Sequence, residues 1–170
     1  MRHEDWDDVK DSDLYGEDFE IEDDESRFEP YVYTPRGACR DLFVCRDLEV
    51  LLEGAAGTGK TRAGLEKAHL YCSMFERARI LLLRKFRSSM NESILVTFEQ
   101  NVLPPNHYLN DGHKRVYRQS YEYANGSSLV IGGLDNADKI MSTEYDMIFV
   151  FEATEIEEEE WEMCLTRLRN

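Results

Sequence analysis

The residues Gly54-Ala55-Ala56-Gly57-Thr58-Gly59-Lys60-Thr61 have the types and spacing of a loop that binds phosphate. A glycine, four residues, then Gly-Lys-Thr is what a chain needs to wrap backbone N–H groups around a β-phosphate, and the small residues let the backbone approach closely. In such a loop the Lys60 ammonium reaches the β- and γ-phosphates of ATP, and the Thr61 hydroxyl coordinates Mg²⁺. Arg62 closes the candidate nucleotide-binding run that begins at Gly54.

A second chemical feature is the run Met147-Ile148-Phe149-Val150-Phe151-Glu152, which leads from apolar residues into an acid. An ATPase of the phosphate-loop type presents two acids at such a strand end. The first holds Mg²⁺ through water and the second orients or deprotonates the attacking water. Here Phe151 takes the first place and Glu152 the second, so the water-activating group is kept and the metal-side acid is missing. Arg84, Lys85 and Arg87 follow another apolar run, Ile80-Leu81-Leu82-Leu83. In open α/β sheets ligands bind at the carboxyl ends of the strands, where these cations could meet a triphosphate or a neighbouring subunit.

These groups need elements to position them. Leu48–Glu53 reads as a short strand ending at the loop, and Thr61 to Phe75 as a helix with Leu65, Ala68, Cys72 and Phe75 on one stripe. Cys72 is then a core filler rather than a reactive thiol. Ala78–Arg84 suits a parallel strand buried on both faces. Ser89 to Leu103 predicts a helix with Met90, Ile94, Phe98 and Val102 four apart, stopped by Pro104-Pro105. His107 and His113 fall in a polar loop without metal-ligand spacing. Residues 115–118 and 121–123 alternate as strands, Asn125-Gly126 supplies a hairpin turn, and Ser128–Ile131 continues into a flexible loop, 132–143. Thr154 with Glu157 reads as a capping box opening a last helix, in which Ile156, Trp161, Cys164, Leu165 and Leu168 face inward. The acids Glu157 to Glu160 near its start complement the helix dipole. Upstream of the phosphate loop, Pro35 and Gly37 punctuate a turn before a short helix, the candidate segment for contacting a nucleotide base.

Composition narrows the class. A chain of 170 residues supports one domain with a core plus a tail. Residues 1–28 carry thirteen acids against Arg2, Lys10 and Arg27, which predicts an acidic disordered tail. It reads either as a solvating segment or as a strip that docks on a basic partner. The net charge of −15 argues against nonspecific coating of nucleic acid, so any DNA contact must be local or made by a partner. Cys39, Cys45, Cys72 and Cys164 lack paired C-x-x-C spacing, which predicts neither zinc nor a disulfide framework and suits a reducing cytosol. No apolar stretch approaches the ~20 residues that cross a bilayer, and no signal peptide is expected.

With these motifs in order, the chain resembles the N-terminal ATPase half of the large terminase subunit of tailed bacteriophages over about residues 33–170. The resemblance rests on the phosphate loop, then Leu83-Arg84-Lys85-Phe86-Arg87-Ser88-Ser89, the Asn125-Gly126-Ser127 hairpin, Glu152-Ala153-Thr154-Glu155 and a Trp161 helix closing on Thr166-Arg167-Leu168-Arg169. It implies an α/β P-loop NTPase domain of the ASCE type at 29–170, with three layers and a mainly parallel sheet. It implies an ATP- and Mg²⁺-dependent motor acting as a homo-oligomeric ring, threading double-stranded phage DNA into a procapsid in the host cytoplasm. The portal protein and the small terminase subunit are the partners it implies, with no membrane. By the same resemblance Lys60 and Thr61 handle phosphate and metal, and Glu152 activates water. Some members carry an arginine where this chain has Ala56, so the resemblance implies a charge-stabilising cation supplied in trans by a neighbouring subunit, with Arg84, Arg87 or Lys139 as the candidates. The family continues past the position of Asn170 with a coupling strand and a ribonuclease-H-like nuclease, so the ATPase domain is expected to be incomplete and nuclease activity absent. The other readings of the same motifs are a helicase-like or PhoH-like ATPase, and a catalytically weak nucleotide-binding remnant that regulates a motor.

Overall fold

The computed structural model of the protein describes residues 32–169, and the expected acidic tail at 1–28 lies outside the described residues. From Tyr33 onward the chain forms one compact unit. In order it contains α1 (Ala38–Val44), α2 (Lys60–Met74), β1 (Arg79–Arg84), α3 (Ile94–Thr97), β2 (Ser120–Glu122), β3 (Ser128–Gly133), α4 (Ala137–Met141), β4 (Met147–Val150) and α5 (Glu158–Leu165).

The strands form one sheet in the order β2-β3-β1-β4. β1 is parallel to both neighbours, with Leu82 opposite Ile131 of β3 and Phe149 of β4, and β2 is antiparallel to β3. Ile80, Leu81, Leu82 and Leu83 are all fully shielded, as a continuous apolar run in a central parallel strand should be. Their alternation divides the core. Ile80 and Leu82 join Leu65, Ala68 and Cys72 of α2 and Leu95 and Phe98 beyond. Leu81 and Leu83 meet Leu134, Ile140, Tyr145 and Cys164 on the α4 and α5 side. Helices therefore cover both faces, and each large aliphatic side chain so buried contributes about 1.5–3 kcal/mol.

Most expected elements are found, with informative shifts. α2 carries the expected stripe, but Phe75 caps its C-terminus and is half exposed. Burial pushes the Cys72 thiol up to about 12, consistent with a core filler. The helix expected at Ser89–Leu103 is broken into a 3₁₀ turn at Arg87–Met90, the short α3, and a π turn at Phe98–Val102. Met90, Ile94, Phe98 and Val102 are nevertheless all buried, so the apolar spacing survives the change of backbone. The loop expected at 132–143 holds a 3₁₀ turn, Leu134–Asn136, and α4.

Three expectations are corrected. Leu48–Glu53 is not a strand: it joins no ladder among the described residues, and Leu48 and Leu51 are 96% and 78% exposed. β4 ends the sheet, so no ladder reaches this apolar segment. Residues 115–118 are a turn rather than a strand, because their side chains serve other bonds. Arg118 donates to the carbonyls of Leu109, Asn110 and Asp111, and Arg115 pairs with Glu99, which also accepts from the Tyr121 hydroxyl at 2.8 Å. Finally, the last helix has a capping box, but three residues along. Glu157 is the N-cap and Glu160 reaches back to its N–H at 2.8 Å, while Thr154 belongs to a separate 3₁₀ turn, Ala153–Glu155. No helix among the described residues is long and apolar enough to cross a membrane.

Candidate functional site

The glycine-rich segment turns directly into α2. Gly57 and Gly59 have φ of 76° and 84°, a region that side chains with Cβ resist, and Gly59 is the N-cap of α2. This leaves the first N–H groups of a fifteen-residue helix facing outward at an exposed loop, the arrangement that attracts an anion. The Lys60 ammonium is folded back into this loop. It donates to the carbonyls of Gly54 at 2.6 Å and Ala55 at 2.7 Å, and to Thr58 Oγ1 at 3.3 Å. Thr58 Oγ1 donates in turn to Ala55 at 2.9 Å. The loop is thus held closed by its own cation.

The upstream segment lies against this loop. The Cys39 thiol of α1 donates to the Thr58 carbonyl at 3.7 Å, and the Arg62 guanidinium stands 4.8 Å above the Tyr33 ring. Lys67 donates to the Leu42 carbonyl at 2.7 Å, tying α1 to α2. Arg62 also pairs with Glu66 at 3.3 Å. Burial raises the Glu66 carboxyl above its ordinary range, and Arg62 partly offsets that.

Thr61, Arg84, Phe151 and Glu152 line one cleft of about 300 Å³ at the carboxyl ends of β1 and β4, together with Glu92 and Thr97. Glu152 follows β4 in a left-handed conformation, φ 53° and ψ 54°, uncommon for a residue with a side chain. The Arg84 guanidinium is bound at both ends by Glu155, Nε to Oε2 at 3.0 Å and Nη2 to Oε1 at 2.9 Å. The hydrogen bond to Glu155 raises the Arg84 pKa further above its ordinary value, with the charge of Glu152 adding to it. Arg84 reciprocally lowers the Glu155 carboxyl.

Phe151 is 9% exposed and points into the core. A Cβ built at Gly64 of α2 would stand 3.6 Å from Phe151 Cε1 and 3.5 Å from Phe149 Cδ1. Phe151 is therefore a packing group against the helix that carries Thr61.

The other basic residues are spent elsewhere. Lys85 pairs with Glu160 of α5 at 2.5 Å. Arg87 donates to Asn91 at 2.7 Å and to the Arg118 carbonyl at 2.6 Å, holding the 115–118 turn, and burial lowers its pKa. It does not line the cleft that Arg84 lines. The Lys139 side chain lies outside the described residues. Sequence reasoning missed Glu155 as the partner of Arg84 and Glu92 as a lining residue. Glu155 was visible in the Ala-Thr-Glu string, whereas nothing in the spacing around Glu92 marked it.

Among the described residues no cluster of three or more His, Cys, Asp or Glu could hold a cation by itself. Mg²⁺ binds sites of this kind by one or two protein oxygens plus phosphate oxygens and water. Thr61 and the carboxylates across the cleft fit that mode.

A sheet with three parallel strands and helices on both faces, and a glycine-rich loop opening a helix beside an acid-bearing cleft, define an α/β protein. The family model of the phage terminase large subunit matches residues 47–170, and the chain belongs to that family. No curated protein and no solved structure matches it.

Proposed function

We propose that this chain is a P-loop NTPase domain of the ASCE type, the part of a phage DNA-packaging terminase that binds and hydrolyses ATP. The observation that carries the reading is the convergence of Thr61, Arg84 and Glu152 on one cleft next to a glycine-rich helix start. The N–H groups of residues 57–62 hold the phosphates, and Lys60 exchanges the Gly54 and Ala55 carbonyls for phosphate oxygens when nucleotide enters. Glu152 orients the attacking water, and Arg84 supplies positive charge beside the transferring group. Bound Mg²⁺ neutralises phosphate charge in such sites, with Thr61 as its protein ligand. Membership of the terminase family supports double-stranded phage DNA as the substrate that is moved. A ring of copies on the procapsid, with portal protein and small terminase subunit, is the assembly that reading implies.

The burial of Phe151 favours a second outcome within the same fold, a domain that binds ATP and hydrolyses it slowly. Binding of a fluorescent ATP analogue to the wild-type chain and to Lys60→Ala tests the site, and phosphate release by wild type and Glu152→Gln tests hydrolysis. Retained binding in Lys60→Ala would overturn the phosphate-loop assignment. Equal phosphate release from wild type and Glu152→Gln would remove Glu152 from the chemistry.

A further inference from the structure

The cleft contains a carboxylate that the motif arithmetic does not use. Glu92 lies in the turn before α3, between the 3₁₀ turn Arg87–Met90 and Ile94. It lines the same cleft as Thr61, Arg84 and Glu152, on the segment that leads into α3. The acids nearby are committed differently. Glu155 is bound by Arg84 and Glu160 by Lys85, whereas the Glu92 side chain is exposed and makes no hydrogen bond or ion pair to the described residues. Its neighbours Ser93 and Thr97 turn their hydroxyls back to the carbonyls of Ser89 and Ser93, at 3.1 and 2.9 Å. Among the described residues Glu92 thus brings to the cleft a carboxylate that no cation holds.

We infer that Glu92 supplies, from a different element, the metal-side carboxylate that position 151 has lost, holding the water shell of a divalent cation bound at Thr61. The inference rests on the nucleotide reading above and adds a residue to it. The physical need is specific. A hydrated divalent ion beside a triphosphate requires an acceptor for its waters, and the Phe151 ring provides none. Glu152 is needed for the attacking water, so a second acid must come from across the cleft. α3 and the turn before it are fixed there by Ile94, Leu95 and Phe98 in the core, which makes the position of Glu92 a property of the fold rather than of a mobile chain.

The test is the metal dependence of nucleotide affinity, measured with a fluorescent ATP analogue in Mg²⁺ and in excess chelator. Wild type should bind more tightly with Mg²⁺. Glu92→Gln should keep the metal-free affinity and lose about tenfold or more of the affinity in Mg²⁺, the scale of losing a group behind a metal ligand. Direct Mn²⁺ binding, read by electron spin resonance in the presence of a nonhydrolysable analogue, should weaken in parallel. Adding Phe151→Asp to Glu92→Gln should recover the metal effect if the two positions serve one ion. Full Mg²⁺ and Mn²⁺ dependence in Glu92→Gln, with binding still abolished by Lys60→Ala, would overturn the role of Glu92 alone. Nucleotide binding that ignores Lys60→Ala would instead overturn the site on which the inference stands. Because Phe151→Asp alters a packed residue, the Glu92→Gln measurement decides by itself.

Discussion

Arg84 and Glu155 meet as a two-pronged ion pair at the rim of the candidate site, 2.9 and 3.0 Å apart, with the Glu152 charge close enough to add to the stabilisation of the guanidinium. Arg84 is therefore partly neutralised before any anion arrives. Glu155→Gln should free it, raising affinity for a triphosphate analogue several-fold in low salt, an effect that screening should reduce at high salt. Because the pair lies at the surface and is partly exposed, the stability change should stay within about 1 kcal/mol. Titrations at two salt concentrations and a thermal melt check both parts.

Glu152 adopts a left-handed backbone at φ 53°. Glycine there relieves a steric cost of about 1–2 kcal/mol, although its own freedom in the unfolded chain takes back part of the gain. Glu152→Gly should thus hold or raise the midpoint of urea unfolding while phosphate release falls to background. Glu152→Gln keeps the backbone cost and should lose release without gaining stability.

Two glycines make opposite forecasts. A Cβ at Gly64 would meet Phe149 and Phe151 at ordinary contact distance, so Gly64→Ala should stabilise α2 by up to about 1 kcal/mol. Leucine in the same place would push α2 from β4 and cost about 1–3 kcal/mol. At Gly133 a Cβ would collide with the Arg87 backbone nitrogen and with Asp135, which accepts a hydrogen bond from that nitrogen at 3.0 Å. Gly133→Ala should destabilise more than Gly64→Ala in the same urea series.

His69 of α2 shares a 2.8 Å hydrogen bond with Tyr123 Oη and lies 5.9 Å, ring to ring, from His107. Burial, with a smaller contribution from His107, lowers its pKa from 6.5 to about 4. The folded state thus resists a proton that the unfolded chain accepts. This contribution is complete above about pH 6.5 and is lost as pH falls from there towards 4. Melting temperature should drop through that window, and His69→Gln should flatten the drop relative to wild type. An unchanged slope in the variant would remove His69 as its source.

The comparison of expectation and structure turns on the range of each force. The Gly54–Thr61 loop, α2, the buried β1 run and the acid at the end of β4 are local patterns. Glycine placement, three-and-four spacing and a four-residue apolar run act within one element, and each was legible. The register of the last capping box slipped by three residues because both Thr154 and Glu157 can cap, and packing of α5 selects between them.

The sequence alone established a glycine-rich loop before a helix, a mainly parallel α/β core and an apolar strand that runs into Phe151 and Glu152. Only tertiary contacts decided that Leu48–Glu53 pairs with no strand among the described residues, that Arg84 rather than Arg87 lines the cleft, and that Glu92 lines it together with Thr61. Those outcomes depend on which distant groups the fold brings together. Arg87 is taken by carbonyls in the 115–118 turn, Arg84 by Glu155, and no spacing along the chain encodes partners so far removed in sequence.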